Sequence, residues 1–381
     1  MSEKSLVPKI RFKGFTNAWE QWKVKDIFEI TRGYVVSKKE ILETKSGEYI
    51  YPIYSSQTIN DGLLGYYKSY LASNAITWTT DGANAGTVSY RKGRFYATNV
   101  CGLLSTKAFT PNLYLAFALS SETYKHVAKV GNPKLMNNTM ANIELIITSN
   151  LVEQSKISSL FSNLDSLITL HQRKYLALKN FKNTLLEKMF CDEKSKFPRI
   201  RFKGFTNAWE QWKVKDIFEI TRGYVVSKKE ILETKSGEYI YPIYSSQTIN
   251  DGLLGYYKSY LASNAITWTT DGANAGTVSY RKGRFYATNV CGLLSTKAFT
   301  PNLYLAFALS SETYKHVAKV GNPKLMNNTM ANIELIITSN LVEQSKISSL
   351  FSNLDSLITL HQRKLELLKN IKNTLLEKMF I

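Results

Sequence analysis

Hydrogen-bonding side chains collect in four short segments of the chain, each rich in turn-forming residues. The segments are YSSQTIN from Tyr54, TTDGANAG from Thr79, YRKGRFY from Tyr90 and VGNPKLMNNTM from Val130. Their amides, hydroxyls and cations can form several directed hydrogen bonds, as contacts with a polar, charged ligand require. The alternative for each segment is a turn whose Asn, Asp and Gly only satisfy backbone geometry.

Within these segments we select the side chains best able to contact a ligand. In the first half of the chain they are Tyr54, Ser55, Ser56, Gln57, Asn60, Thr79, Thr80, Asp81, Asn84, Arg91, Lys92, Arg94, Lys134, Asn137 and Asn138. The segments recur later in the chain and add Ser245, Ser246, Gln247, Asn250, Asp271, Asn274, Arg281, Lys282, Arg284, Lys324, Asn327 and Asn328. VGNPKLMNNTM is expected to be a loop, and a solvent-exposed hairpin tip at RKGR is as good an interpretation as a ligand contact.

None of these segments has the spacing of a common catalytic motif. GNPK at Gly131 resembles the Asn-Pro-Pro-aromatic motif of adenine methyltransferases, but its second proline and its aromatic residue are absent. DGANAG lacks the glycine spacing of a dinucleotide or phosphate loop, and the chain has no Walker sequence or nuclease-like carboxylate cluster. Three cysteines and four histidines show no metal-site spacing. We therefore expect no catalytic residues, no metal and no cofactor in this chain.

The charge balance favours a polyanionic partner. The chain has 49 Lys and Arg against 30 Asp and Glu, a formal net charge of +19, which makes nucleic acid the leading candidate. A merely solvated basic surface is the alternative. No apolar run approaches the ~18 residues of a membrane span, and the first residues lack the apolar core of a signal peptide. We expect no membrane partner and a cytoplasmic location.

The elements that must position these side chains are present twice. Residues 10–174 match residues 200–364 at every position, and the match resumes between residues 182–190 and 372–380. Between these blocks four pairs differ: Tyr175 and Leu365, Leu176 and Glu366, Ala177 and Leu367, and Phe181 and Ile371. A unit of this length is a domain rather than a solenoid repeat.

Each copy has two parts that differ in sequence pattern. Its first part contains EYIYPIYSS, AITWTT, GTVSYRKGRFYATNV and IELIIT, short segments rich in β-branched and aromatic residues with glycines between them. These are typical of strands and turns, whereas NLYLAFALSSETYKHVAKV has helical spacing. The pattern predicts an α+β, or mixed α/β, domain with many loops.

The second part of each copy is predicted to be one long helix. From about Val152 to Phe190 there is no Gly or Pro, and apolar residues recur at spacings of three and four. Such a helix would be ~58 Å long and would carry a coiled-coil seam. We place in the seam Ile157, Phe161, Leu164, Ile168, His171, Tyr175, Leu178 and Leu185, and in the second copy Ile347, Phe351, Leu354, Ile358, His361, Leu365, Leu368 and Leu375.

The linker between the copies fixes the predicted arrangement. We divide the chain into a globular domain (1–150), a helix (151–190), a linker (191–198), a second globular domain (199–340) and a second helix (341–381). The linker spans at most about 28 Å, so the second domain should start near the far end of the first helix. Its own helix should then return antiparallel to the first, which predicts a coiled coil and approximate two-fold symmetry. Duplex DNA has matching symmetry wherever its sequence is an inverted repeat.

Two segments carry a family resemblance. PKIRFKGFTNAWEQWKVKDIFEITRG from Pro8 and LVEQSKISSLFSNLDSLITLHQRKYLALKNFKNTLLEKMF from Leu151 resemble the specificity (S) subunit of Type I restriction-modification systems. The positions that carry the likeness in the helix are Glu153, Gln154, Ile157, Leu164, Asp165, Ile168, Met189 and Phe190. The resemblance implies a non-catalytic DNA-reading subunit with two target recognition domains. It also implies two methyltransferase subunits that carry S-adenosylmethionine and methylate adenine N6, docked with help from the helices, and restriction subunits that can join them.

The chain departs from the family pattern in two ways. Members usually have a proline before the Glu-Gln pair, whereas this chain has TSNLVEQ, so the strand-to-helix corner is expected to differ. Most members carry two different recognition domains, and identical ones predict an interrupted palindromic target. Two other functions stay open at this point: a self-contained DNA-modifying enzyme, and a coiled-coil scaffold without specific DNA binding.

Overall fold

The computed structural model describes residues 6–191, 195–319 and 321–381. The chain forms two compact units, one made of Met1–Gln172 with Arg363–Ile381 and the other of Arg173–Gln362. Each unit therefore takes residues from both copies of the repeat. Of the predicted linker, residues 192–194 lie outside the described residues.

The first unit contains a six-stranded sheet and a two-stranded sheet. Its strands are β1 (Glu20–Lys23), β2 (Phe28–Arg32), β3 (Tyr51–Tyr54), β4 (Leu63–Tyr67), β5 (Ala72–Thr79), β6 (Val88–Ala97), β7 (Cys101–Thr106) and β8 (Glu144–Ile147). The large sheet has the order β2-β7-β5-β6-β3-β4, and its neighbours are antiparallel except for β3 and β6. The small sheet pairs β1 with β8.

Three short helices and one long helix complete the first copy. They are α1 (Val24–Ile27), α2 (Leu113–Thr123), α3 (Asn137–Ala141) and α4 (Leu151–Met189). α2 begins where the Asn112 side chain accepts a hydrogen bond from the Leu115 N–H. The single long helix predicted for about residues 151–190 is confirmed by α4, which spans Leu151–Met189.

The second copy repeats these elements. Its strands are β9 (Glu210–Lys213), β10 (Phe218–Arg222), β11 (Tyr241–Tyr244), β12 (Leu253–Tyr257), β13 (Ala262–Thr269), β14 (Val278–Ala287), β15 (Cys291–Thr296) and β16 (Glu334–Ile337). Its helices are α5 (Val214–Ile217), α6 (Leu303–Thr313), α7 (Asn327–Ala331) and α8 (Leu341–Met379). The strand order of the first unit recurs as β10-β15-β13-β14-β11-β12, with β9 pairing β16.

Two local expectations from the sequence are wrong. RKGR is not a hairpin tip, because Arg91 and Arg94 lie within the continuous strand β6, which pairs with β5 on both sides of a bulge. The bulge is closed by the Asn74 side chain, which accepts a hydrogen bond from the Gly93 N–H. VGNPKLMNNTM is not all loop, because Asn137 begins helix α3.

The core of each unit is completed by the end of a long helix. In the first unit Phe380 stacks on Tyr114 at a centroid distance of 5.5 Å and also contacts Trp19 and Phe161. In the second unit Phe190 makes the matching contacts, with Tyr304, Trp209 and Phe351. The helix that starts in one unit therefore contributes an aromatic side chain to the core of the other.

Within the first unit, α8 runs antiparallel to the start of α4. Lys372 Nζ of α8 binds Asp165 Oδ1 of α4 at 2.6 Å. Further along the chain, Phe380 contacts Phe161, which precedes Asp165. Moving forward along α8 therefore means moving backward along α4.

The predicted seam positions differ in burial along each helix. Buried positions are Ile157, Phe161, Leu164, Leu185, Ile347, Phe351 and Leu354. Half-buried positions are Ile168, His171, Tyr175, Leu178, Ile358, His361, Leu365, Leu368 and Leu375. Lys182 follows the same spacing and is half-buried, and its Nζ binds Asp355 Oδ1 at 2.5 Å in the second unit.

Candidate nucleic-acid interface

Four loops of the first unit are joined by hydrogen bonds, and we call them the loop end. They comprise residues 54–62, 80–86, 97–101 and 128–136. The hydrogen bonds that join them are Thr98 N–H to Tyr54 O, Thr80 N–H to Val100 O, Gly82 N–H to Pro133 O and Asn84 Nδ2 to Ser56 O, at 2.9 to 3.0 Å. The loops therefore hold one another in place, and the fixed surface they form can present side chains in defined positions.

Arg32, at the end of β2, ties two of these loops together. Its Nε donates to Asn99 O at 2.6 Å, and its Nη2 donates to Asp81 Oδ2 at 2.9 Å and to Thr80 Oγ1 at 3.1 Å. The Thr80 hydroxyl, which is fully buried, donates to Asp81 Oδ2. Sequence reasoning missed Arg32, because nothing in TRG marks the arginine as a partner of a carboxylate 49 residues away.

Arg91 fixes the first loop from below. It is buried, and its guanidinium lies over the Tyr54 ring with its carbon 3.9 Å from the centroid. Nη1 donates to Asp61 Oδ2 at 2.6 Å and to the Asp61 backbone oxygen at 2.7 Å, while Nε donates to Thr77 Oγ1. Burial raises the pKa of the Tyr54 phenol, and the neighbouring guanidinium opposes that rise. Arg281 forms the same cluster with Tyr244 and Asp251 in the second unit.

The predicted ligand-contacting residues separate into three groups by exposure. Exposed are Asn60, Lys92, Arg94, Lys134 and Asn138, and half-buried are Tyr54, Ser55, Ser56, Gln57, Asp81, Asn84 and Asn137. Buried are Thr79, Thr80 and Arg91, whose side chains support the loops from inside the fold. The residues of the second unit fall into the same three groups.

The loop end brings many of these residues together, but not all of them. Lys134 joins the others through a backbone bridge to Asp81. Lys92 and Arg94 lie on strand β6 instead, where the Arg94 guanidinium sits 4.8 Å from the Tyr70 ring centroid. Asn137 and Asn138 lie on helix α3.

Exposed apolar side chains at and beside the loop end were also missed. Tyr34, Val35 and Ile59 are 62%, 78% and 73% exposed. Tyr34 is attached to the loop end by its N–H, which donates to Ala97 O. Gly33 permits this approach, because a Cβ there would lie 2.2 Å from the same oxygen. The sequence signal that could have found Ile59 is an apolar residue placed between polar residues in a turn.

A third arginine–carboxylate pair lies where the domain meets its helix. Arg11 binds Glu153 through two hydrogen bonds, Nε to Oε1 at 2.6 Å and Nη2 to Oε2 at 2.9 Å. Glu153 is fully buried, and the hydrogen bond to it raises the pKa of the Arg11 guanidinium. This contact connects the opening segment of the repeat to the first turn of α4.

The neighbouring Gln154 and Asn150 complete this junction. Gln154 Nε2 donates to Thr148 O, and Gln154 Oε1 accepts from Asn112 Nδ2, both at 2.7 Å. The Asn150 side chain accepts hydrogen bonds from the Val152 and Glu153 N–H groups and so caps α4. An asparagine cap thus begins the helix where the family pattern has a proline nearby.

The chain thus consists of two loop-bearing sheet domains, each followed by a long helix. The family model for the Type I restriction modification DNA specificity domain matches residues 17–180 and again residues 207–370. The chain therefore belongs to the family of type I specificity subunits, and it carries two target recognition repeats.

Curated relatives agree with this assignment, and a solved structure shares the fold. A putative type I specificity subunit of Mycoplasma pneumoniae is 33% identical over 267 residues, 68% of this chain and 69% of the relative. The N-terminal part of another from the same organism is 46% identical over 144 residues, 36% of this chain and 74% of the relative. The crystal structure of the type I S subunit from M. genitalium shares the fold, with a TM-score of 0.73 at 17% identity and coverage of 98% and 99%.

Two further findings concern assembly and membranes. Specificity subunits of type I systems assemble with other subunits, and a structure concerned with complex assembly of such a system matches at a TM-score of 0.51 and 11% identity. Among the residues that the structure describes, no helix combines the length and apolar character needed to cross a membrane.

Proposed function

We propose that this chain is a DNA-reading subunit without catalytic activity of its own, in which each unit recognises one half of an interrupted target. The loop end carries the proposal, because it presents polar and cationic side chains on loops fixed by hydrogen bonds, and it occurs in both units. Such side chains read base edges, while cations bind phosphates. The net charge of +19 supports a polyanionic ligand.

We propose further that the target is palindromic. The two recognition repeats are identical over the loop end, including the cluster of Arg91 and its counterpart Arg281, so they should read the same half-site. In the first unit the helix segments run antiparallel, as the contacts of Lys372 with Asp165 and of Phe380 with Phe161 show together. Two copies of one half-site arranged as an inverted repeat would share the two-fold symmetry of duplex DNA. The expected product has one methylated adenine per half-site on each strand.

Two methyltransferase subunits are the proposed protein partners, with restriction subunits able to join them. They would carry S-adenosylmethionine, and this chain would hold no cofactor. The helices offer a docking surface, since apolar side chains outside the seam are exposed along them. These are Leu167, Leu170, Leu176 and Phe181 on α4, and Leu357, Leu360, Leu367 and Ile371 on α8. Apolar residues repeated along a helix suit contact with a partner helix.

Mapping N6-methyladenine in cells that express this chain with its methyltransferase partner tests the proposal. We expect one motif whose two halves are inverted copies separated by unread base pairs. Cells with the partner alone are the control and should lack the motif. A motif with two unrelated halves, or a direct repeat, would contradict the palindromic target.

Two measurements distinguish the rival functions. Incubation of the purified chain with DNA and a labelled methyl donor should transfer no label without the partner subunit, and transfer would indicate a self-contained enzyme. Affinity of the complex for its target should fall steeply as salt rises, because cation contacts with phosphates release counterions. A scaffold without DNA binding predicts no such dependence.

A further inference from the structure

The turn Ile59–Gly62 at the loop end adopts an unusual backbone conformation. Asn60 and Asp61 both have positive φ, 50° and 54°, and Asn250 and Asp251 repeat this in the second unit at 52° and 53°. Two consecutive non-glycine residues in the left-handed region are uncommon, since their Cβ atoms crowd the backbone. Such conformations persist where surrounding contacts enforce them, and they concentrate at functional sites.

The enforcing contacts come from a buried cation. Arg91 donates to both the backbone oxygen and the carboxylate of Asp61, and Ser89 Oγ donates to the other carboxylate oxygen at 3.4 Å. On the far side of the turn, Gln57 Nε2 donates to Leu63 O. These hydrogen bonds hold the turn on both sides and so keep its outermost residues in a defined position.

The turn exposes one apolar side chain and one amide side chain. Ile59 is 73% exposed, and its counterpart Ile249 is 74% exposed. Asn60, the next residue, is exposed and its side chain makes no hydrogen bond to any part of the chain that the structure describes. A single exposed isoleucine is ordinary on a protein surface. Here the exposed isoleucine lies next to an asparagine amide that makes no hydrogen bond to the described part of the chain. A buried arginine also holds the turn in a strained conformation. The two side chains are therefore suited to contact a ligand.

The chemistry of this pair matches an A·T base pair in the major groove. The pair exposes the thymine C5-methyl group, which apolar side chains contact, and the adenine N6 and N7 atoms, which asparagine binds through two hydrogen bonds. A phosphate contact fits less well, because the turn carries the Asp61 carboxylate and the nearby Arg91 charge is already paired with it. The turn therefore favours a base edge over the DNA backbone.

We propose that Ile59 contacts the methyl group of a thymine in each half-site, as does Ile249 in the second unit, with Asn60 and Asn250 on the adenine of the same pair. Arg91 and Asp61 act as positioning residues that hold the turn in its reading conformation. This inference rests on the proposed function, since it requires that the loop end reads duplex DNA.

Replacing thymine by uracil in the target tests the inference, because uracil lacks only the methyl group. Each thymine of the mapped target is changed in turn, in both half-sites, and affinity of the methyltransferase complex is measured for each duplex. For the unmodified chain we expect one thymine position whose loss of the methyl weakens binding by about fourfold per half-site. The complex with I59A/I249A should bind the thymine and uracil duplexes equally at that position.

Two further variants complete the experiment. V152A/V342A removes exposed valines at the starts of α4 and α8 and should keep the full thymine preference. R91K/R281K keeps the charge but not the forked hydrogen bonds, and it should reduce the preference while both isoleucines remain. Circular dichroism of each variant checks that it folds.

The outcomes separate the inference from the function it rests on. If the complex methylates one motif but I59A/I249A keeps the same thymine preference as the unmodified chain, or if no thymine position matters, the contact assigned to Ile59 is wrong and the proposed function stands. If no sequence-specific binding or methylation is found, the proposed function itself fails.

Discussion

Two arginine–carboxylate pairs in the same unit have the same shortest distance and different surroundings. At the helix junction, Arg11 binds Glu153 at 2.6 Å, and the two side chains are 10% and 0% exposed. At the loop end, Arg91 binds Asp61 at the same distance, but the exposures are 7% and 75%. Both arginine side chains are at most 10% exposed, so the difference lies in the carboxylates. The buried Glu153 carboxylate joins the opening segment to helix α4. At the loop end, by contrast, the buried arginine holds an exposed carboxylate, and with it a surface turn, in position.

The largest effect of this difference is expected at Glu153. Glu153→Leu leaves the Arg11 guanidinium, which is only 10% exposed, without its carboxylate, and this should lower the free energy of unfolding of the first unit by about 3 kcal/mol. Chemical denaturation of the full chain measures the loss. The double variant R11M/E153L removes both charges and should recover a large part of the stability.

E343L in the second unit provides a matched measurement, because Arg201 and Glu343 repeat the contact at 2.6 Å. A loss below about 1 kcal/mol for E153L would show that the buried pair does not hold the junction. If R11M/E153L were less stable than E153L, the loss would come from poorer packing at the junction and not from an unpaired charge.

The reactivity of the Cys101 thiol measures whether the base of the loop end is closed to solvent. Burial raises its pKa from 9.0 to about 11, and its Sγ donates to Tyr54 O at 3.8 Å. Since the folded pKa lies above the unfolded one, the thiol favours folding fully below pH 9 and loses this contribution as pH rises through 11. At pH 8 the folded chain should react with a thiol reagent at least ~100-fold more slowly than the unfolded chain, because two pKa units reduce the thiolate about 100-fold.

C191S leaves Cys101 and Cys291 as the reporting thiols, and Cys291 has the same raised pKa of about 11. The labelling rate of this variant is measured from pH 7 to 11 with and without denaturant. Equal rates in the two conditions would mean that the base of the loop end is open in the folded chain. Adding Arg91→Met should speed labelling if the arginine keeps this region closed.

The sequence was sufficient for features that depend on periodicity and repetition. The three-and-four spacing from Ile157 onward and the absence of Gly and Pro predicted α4, because a long helix needs little else. The duplication predicted two domains of the same fold. It could not reveal that Phe380 completes the first core, because identical sequence does not say which copy supplies the residue.

The candidate site was only partly predictable. Polar segments at Tyr54 and Thr79 were found because turn-rich composition marks loops. Arg32 and Asp61 were missed, since their roles depend on strand register that brings distant residues together. Arg91 was predicted to contact a ligand because of its charge, but in the fold this charge pairs with Asp61. Helix α3 was mistaken for loop, because GNP and NN are strong turn signals and a helix of five residues has too little periodicity to outweigh them.

The smallest expected effect on stability is at Asp61. Asp61→Asn keeps the shape of the side chain and removes its charge, and we expect it to lower the free energy of unfolding by only about 1 kcal/mol. Water already screens this carboxylate, and Arg91 keeps its hydrogen bonds to the Asp61 backbone oxygen and to Thr77. Glu153→Gln makes the same chemical change where no water replaces the lost charge, so it should cost several times more. Denaturation of D61N and E153Q under the same conditions compares the two pairs directly. Equal losses would mean that exposure of the carboxylate does not separate the two pairs, and the distinction between a structural pair and a surface-positioning pair would have to be abandoned.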